Sequence, residues 1–256
     1  MQNDSFIKLI NKYKWDSVLL RTLFVTFVFI FVPIILTGSI IYSYNLKISR
    51  EQIYSFANDS HNQIQSVWEE INSSIYDIHM VTTSQTLMNA FLYSEEYENI
   101  PEQNQSLIAI SEILKNSINT SKYISSIYIY NQKSEYIIST TGGCYKSMFW
   151  DTDWICSIPL VNYYGFIRDI NVSGKQTKYI TIIKPFFGSD SCYAIYNIDY
   201  YELLKDFSQV NTSTSYIYIT SPENLVIFSK DSSELGKPAD TIETAVTDGD
   251  KYISLN

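Results

Sequence analysis

The longest apolar stretch of the chain runs from Thr22 to Tyr44, 23 residues without a charge and dominated by Leu, Phe, Val and Ile. At about 1.5 Å of rise per residue it would cross the roughly 30 Å hydrocarbon core of a bilayer. It is too long for the apolar region of a secretory signal, and Thr37-Gly38-Ser39 is a poor cleavage site, so the pattern predicts an uncleaved anchor. Lys8, Lys12, Lys14 and Arg21 outnumber Asp4 and Asp16 before the span. The positive-inside tendency then keeps residues 1–21 in the cytoplasm and sends everything after Tyr44 out of the cell. Trp15 before the span and Tyr42 and Tyr44 at its far end suit the two interfaces. Pro33 is tolerable in a membrane helix.

After the span the period changes. Ile53, Ala57, Ser60, Ile64, Val67, Ile71, Ile75 and Ile78 step by three or four with no Pro or Gly between them, which predicts one amphipathic stalk helix over 45–82. Such a stripe suits pairing with a second copy, making a homodimer the expected assembly, and it equally suits burial against the chain's own domain. A second helical region is predicted from Ser84 to Tyr93. A polar loop centred on Pro101 and a helix from Gln105 to Ile118 follow.

Beyond Ile118 the pattern turns to strands. Ile124–Tyr130 and Glu135–Thr140 read as a hairpin, with Thr141-Gly142-Gly143 breaking the chain after it. Lys178–Phe186 and Cys192–Ile198 read as a second hairpin, with a short helix from Tyr200 to Phe207 behind it. Ser215–Thr220 and Asn224–Phe228 form a third, Gly236-Lys237-Pro238 leads into a short helix, and Lys251–Leu255 opens another strand. The fold class is therefore α+β. A transmembrane helix at 22–44 and the stalk precede a complete membrane-distal module at 83–210 and a membrane-proximal one at 211–256 that is expected to be cut short.

Composition narrows the function. Outside the membrane 14 basic residues face 25 acidic ones, a net charge of −11, which disfavours nucleic acid. Cys144, Cys156 and Cys192 lack metal-ligand spacing. His61 and His79 lie about 27 Å apart along a helix, so no metal and no cofactor is expected. Cys144 and Cys156 could pair outside the cell or stand as small thiols. No Gly-x-Ser-x-Gly, phosphate loop or His-Glu-x-x-His occurs, so this segment is not expected to be an enzyme.

Three passages carry a family resemblance: Tyr193-Ala-Ile-Tyr-Asn-Ile-Asp199; Tyr216-Ile-Tyr-Ile-Thr-Ser-Pro-Glu-Asn-Leu-Val-Ile-Phe-Ser229; and Glu234-Leu-Gly-Lys-Pro238. With the order of elements they resemble the double Cache (PAS-like) extracytoplasmic sensors of bacterial receptors, such as sensor histidine kinases and AraC-type membrane regulators. The resemblance implies PAS-like antiparallel-sheet modules, a small-molecule ligand and an output domain reached through the membrane. It places the ligand between the distal sheet and a covering segment, here Gly142 to Ile167. That segment holds Tyr145, Phe149, Trp150, Asp151, Asp153, Trp154 and Tyr163.

The candidate ligand-binding residues are Tyr145, Trp150, Asp151 and Trp154, with Tyr179, Tyr196 and Asp199 from the strands. Rings offer contact area and cation–π faces, and an acid pairs with an amine. The Arg-x-Trp-Tyr pattern that grips an amino acid's carboxylate in one subgroup is missing; Lys146 is the nearest base, with Arg168 further on. Trp150 and Trp154 could instead plug the core, and Asp199 could cap the next helix. A membrane-tethered structural or adhesion module is the alternative to a sensor.

Overall fold

The computed structural model describes residues 18–84, 88, 91–92, 101–160, 165–172, 175–186, 189–210, 218–221, 224–229 and 231–241. It divides into two units, Met1–Asp59 and Ser60–Asn256.

Helix α1 runs over Val18–Thr83. In the first unit its apolar side chains are exposed, including Phe29 at 76% and Ile35 at 64%. Among the described residues this is the one helix long and apolar enough to cross a membrane. Two of its hydroxyls are satisfied within the helix, as suits a lipid environment: those of Thr26 and Thr37 donate to the carbonyls of Thr22 and Pro33 at 2.8 and 2.7 Å. Ile53 and Ala57, the first members of the stripe, are exposed.

In the second unit the stripe goes inside. Ser60, Ile64, Ile71, Ile75 and Ile78 are all buried. Helix α2 spans Pro101–Asn119. It begins at Pro101 itself, where a polar loop is predicted, because the missing N–H of a proline costs nothing in the first helical turn. The predicted helix over 84–93 lies mostly outside the described residues; 88 and 91–92 are helical.

The sheet has six strands: β1 Ile124–Asn131, β2 Tyr136–Ser139, β3 Gly142–Tyr145, β4 Phe166–Val172, β5 Lys175–Pro185 and β6 Cys192–Asp199. Their order is β3-β2-β1-β6-β5-β4, antiparallel throughout. Two strands depart from expectation. Thr141-Gly142-Gly143 turns the chain but does not end the pairing. Gly142 takes φ 127°, and a Cβ on Gly143 would meet the Tyr136 ring at 2.6 Å, so glycine lets β3 lie beside β2. Strand β4 lies where no strand is predicted, overlapping the covering segment only at Phe166 and Ile167. Helix α3, Tyr200–Val210, and a two-stranded sheet of β7 Tyr218–Thr220 and β8 Val226–Ser229 follow as predicted, with a short 3₁₀ turn at Ala239–Thr241. The strand expected at Lys251–Leu255 lies outside the described residues.

Period-two alternation gives the six-stranded sheet two different faces. Ile127, Ile129, Ile138, Ile180, Ile182, Ala194, Tyr196 and Ile198 join α1, α2 and α3 in the larger core. Tyr128, Tyr130, Ile137, Ile183 and Ile195 point the other way and pack with Phe149 and Trp154 in a smaller one. A bulge in β1 between Ile124 and Ser126 resets the alternation. Ile124 therefore joins the helix side, while Ser126 reaches the Asn197 side chain.

Candidate functional site

Ser126, Asn197 and Thr181 are successive cross-strand partners on β1, β6 and β5. They form a polar row where both flanking strands are otherwise β-branched or aromatic. The Asn197 amide donates to Ser126 Oγ at 2.8 Å, and Thr181 Oγ1 donates to Asn197 Oδ1 at 2.8 Å. Arg168 on β4 lies over this row. Its Nε donates to Thr181 Oγ1 at 2.8 Å and its Nη2 to Asn197 Oδ1 at 2.9 Å.

The remaining face of the guanidinium meets a carboxylate from outside the sheet. Arg168 Nη1 donates to Asp151 Oδ1 at 2.5 Å and Nη2 to Asp151 Oδ2 at 3.1 Å, a two-pronged ion pair. Asp151 is 4% exposed, Arg168 8%, and Thr181 and Asn197 are fully buried. Removing two charges from water costs several kcal/mol per ion, recovered only when geometry and extra hydrogen bonds are good, as they are here. Tyr128 stands beside the pair. Burial pushes its phenol well above the ordinary tyrosine range; the Ser126 hydrogen bond opposes this in part, and the nearby Asp151 carboxylate adds to the rise. Its hydroxyl accepts from Ser126 Oγ at 3.3 Å.

The segment that carries Asp151 folds on itself. A 3₁₀ turn at Lys146–Met148 and another at Asp153–Leu160 flank it. Phe149 N–H donates to Lys146 O, Ile155 N–H to Thr152 O, and the Trp154 indole N–H to Asp151 O at 2.8 Å. Trp154 is fully buried, edge-on to Tyr130 with ring centroids 5.5 Å apart. Phe149 stands edge-on to Tyr128 at 5.0 Å.

The seven candidate residues therefore separate. Asp151 and Trp154 meet under the covering segment. Tyr179, buried, is the cross-strand partner of Arg168 and so shares its side of the sheet. Trp150 is 57% exposed and Tyr145 40%, the latter at the β3 edge against Tyr136. Tyr196 faces the helices, 3.1 Å from His79 Nδ1. Asp199 caps α3: its Oδ1 accepts from the N–H groups of Tyr201 and Glu202 at 2.8 and 3.2 Å.

Arg168, Thr181, Asn197, Ser126 and Tyr128 complete the cluster and were not among the candidates. The available signal was a polar residue at a core-facing position of a strand, Thr181 in Tyr-Ile-Thr-Ile-Ile and Asn197 in Ile-Tyr-Asn-Ile. Cys144, Cys156 and Cys192 are free thiols, so the pairing of Cys144 with Cys156 is not formed. Among the described residues no group of three His, Cys, Asp or Glu side chains could hold a metal ion.

No family model and no curated protein matches the sequence. Among solved structures, the chain is similar to the periplasmic sensory domain of the Campylobacter jejuni chemoreceptor Tlp1, with 14% identity over 72% of this chain and 73% of that one and a TM-score of 0.45. It is similar to the V. cholerae histidine kinase DctB sensor domain, with 14% identity, 72% and 70% coverage and a TM-score of 0.40. It is also similar to the ligand-binding domain of the Pseudomonas aeruginosa PAO1 amino-acid chemoreceptor PctC in complex with GABA, with 13% identity, 72% and 78% coverage and a TM-score of 0.42. Each is the sensory or ligand-binding domain of a receptor, and to such domains this chain is similar.

Proposed function

We propose that the chain is the ligand-sensing portion of a bacterial transmembrane signalling receptor of the double Cache style. Residues 1–21 lie in the cytoplasm, 22–44 cross the membrane, and the rest lies outside as a stalk at 45–82, a distal module at 83–210 and proximal-module sequence at 211–256. The receptor works as a homodimer. A small molecule binds between the distal sheet and its cover, and the stalk and membrane helices pass that event to a cytoplasmic output domain. The segment itself binds and does no chemistry.

One observation supports this most: the buried, charged cluster of Asp151, Arg168, Thr181 and Asn197 between a sheet face and a segment outside the sheet. A fold seeking only stability does as well with apolar residues in that place. A binding module needs fixed polar groups among rings, and Tyr128, Tyr130 and Trp154 supply the rings.

The test is a thermal-shift screen of the whole chain in lipid nanodiscs against amino acids, amines, organic acids, sugars and nucleobases. A ligand at 100 times its dissociation constant adds about 2.7 kcal/mol to the folded state. A hit lost in Trp154→Phe or Arg168→Gln, with the fold intact by circular dichroism, is expected. A well-folded chain that no compound shifts would overturn the small-molecule reading and favour a tethered adhesion module.

A further inference from the structure

Arg168 and Asp151 are tied to the protein in very different ways. The arginine belongs to the sheet: Thr181 and Asn197, from the two strands beyond β4, hold its Nε and Nη2 at 2.8 and 2.9 Å through bonds that do not involve the Asp151 carboxylate. A planar fork fixed in advance is a ready receptor for a carboxylate, since little freedom remains to be lost on binding. Asp151 belongs to a segment whose backbone bonds close within it, Phe149 to Lys146 and Ile155 to Thr152, with the Trp154 indole on the Asp151 carbonyl. None of those bonds uses the Asp151 carboxylate.

From this asymmetry we infer that Arg168 is a receptor for the carboxylate of a small organic acid, and that Asp151 is its built-in competitor, occupying the receptor until an external carboxylate displaces it. The inference rests on the sensor reading above and gives that site a ligand class and a gate. A tethered carboxylate competes at a high effective concentration, the more so when its segment is pre-organised. An external acid therefore wins only at comparable concentration or with further contacts, and Tyr128 stands beside the pair to provide them. The gate thus sets a threshold. Displacement releases the ion-pair contact of the Asp151 segment while Phe149 and Trp154 still pack on Tyr128 and Tyr130, so occupancy of Arg168 and the seating of Asp151 are one event.

The measurement is isothermal titration calorimetry of acetate and malonate, with acetamide as the uncharged control, into the whole chain in nanodiscs. Wild type, Asp151→Ala, Asp151→Asn and the double variant Asp151→Ala/Arg168→Gln are compared. Removing the competitor should raise carboxylate affinity at least tenfold in Asp151→Ala. The double variant should lose binding, and acetamide should not bind any of them. If Asp151→Ala folds only when acetate is added, that rescue also supports a carboxylate receptor. If it does not fold at all, Asp151→Asn, which keeps the side-chain shape without the charge, carries the same comparison.

Equal affinity in wild type and the Asp151 variants would overturn the gate. No carboxylate binding to a folded Asp151 variant would overturn the receptor itself. Either failure is separable from failure of the sensor reading, because the broad screen includes amines, sugars and nucleobases that do not need Arg168.

Discussion

His79 Nδ1 lies 3.1 Å from the Tyr196 hydroxyl, joining helix α1 to the centre of the sheet on the side opposite the Asp151–Arg168 pair. Phe186 covers the imidazole, with ring centroids 5.0 Å apart. Burial lowers the His79 pKa to about 4, and the positive charge of Lys184 adds to the effect. The neutral ring is therefore the native form, whereas in the unfolded chain the ring titrates near 6.5.

Between pH 6.5 and about 4 the unfolded chain binds the extra proton, so stability rises with pH across that window and falls on acidification. Acidifying from pH 7 to pH 5 should cost about 2 kcal/mol through this one group. Urea unfolding at the two pH values checks it. His79→Gln should flatten that part of the profile; an unchanged slope would remove His79 as its source.

Arg168→Met leaves the Asp151 carboxylate buried without its partner, at an expected cost of about 3–5 kcal/mol. Changing both, as Arg168→Met with Asp151→Leu, should cost clearly less than the sum of the single changes. A double-mutant cycle by chemical denaturation gives the coupling, and additive costs would show that the pair is not an energetic unit.

Trp154 and Trp150 are four residues apart and should behave oppositely. Trp154→Ala empties a fully buried site and should cost about 3–5 kcal/mol. Trp150→Ala removes a ring that is 57% exposed and should change stability by less than about 1 kcal/mol. Comparable denaturation midpoints for the two variants would contradict the packing described.

Asp199→Ala should lower stability by about 1 kcal/mol through loss of the α3 cap, while leaving ligand binding unchanged. Asp199→Asn, which still accepts from the helix N–H groups, should recover most of the loss. A calorimetric titration showing weaker ligand binding in either variant would return Asp199 to the site.

Membrane topology is open to a thiol test. Cys156 is exposed, Cys144 partly covered and Cys192 buried. A membrane-impermeant maleimide added to intact cells should modify Cys156 rapidly, and Cys192 only after denaturation. Protection of Cys156 until the cells are lysed would place the domain on the inner side.

The sequence pattern was most readable where one period persists. Ile64, Ile71, Ile75 and Ile78 mark the buried side of α1, and the hairpins of β1–β2 and β5–β6 show in runs of β-branched and aromatic residues. Strand β3 was hidden because its two glycines look like a break. Strand β4 was hidden because an edge strand carries charge: Asp169 sits beside Lys178 at 2.8 Å on its exposed side, and Arg168 is turned in.

The buried polar cluster was half visible for a related reason. Asp151 and Trp154 stand in a segment without a period and draw notice as chemistry. Alternation alone did not say which parity of β6 faces the helices, so Tyr196 was grouped with Asp151 and Asn197 was not, whereas Asn197 is the one that meets Arg168. Pairing partners decide that choice, and Thr181 opposite Asn197 does so here.

The two faces of the sheet also divide consecutive residues between two separate packings. Odd-numbered positions of β5 and β6, such as Thr181, Ile183, Ile195 and Asn197, meet Arg168 or the Asp151 segment, while the even-numbered Ile180, Ile182, Ala194, Tyr196 and Ile198 grip the helices. A one-residue slip of β6 against its neighbours would exchange the two sets, setting Asn197 among the helices and Tyr196 against Arg168. The register of a single strand thus holds the polar cluster and the larger core in place together.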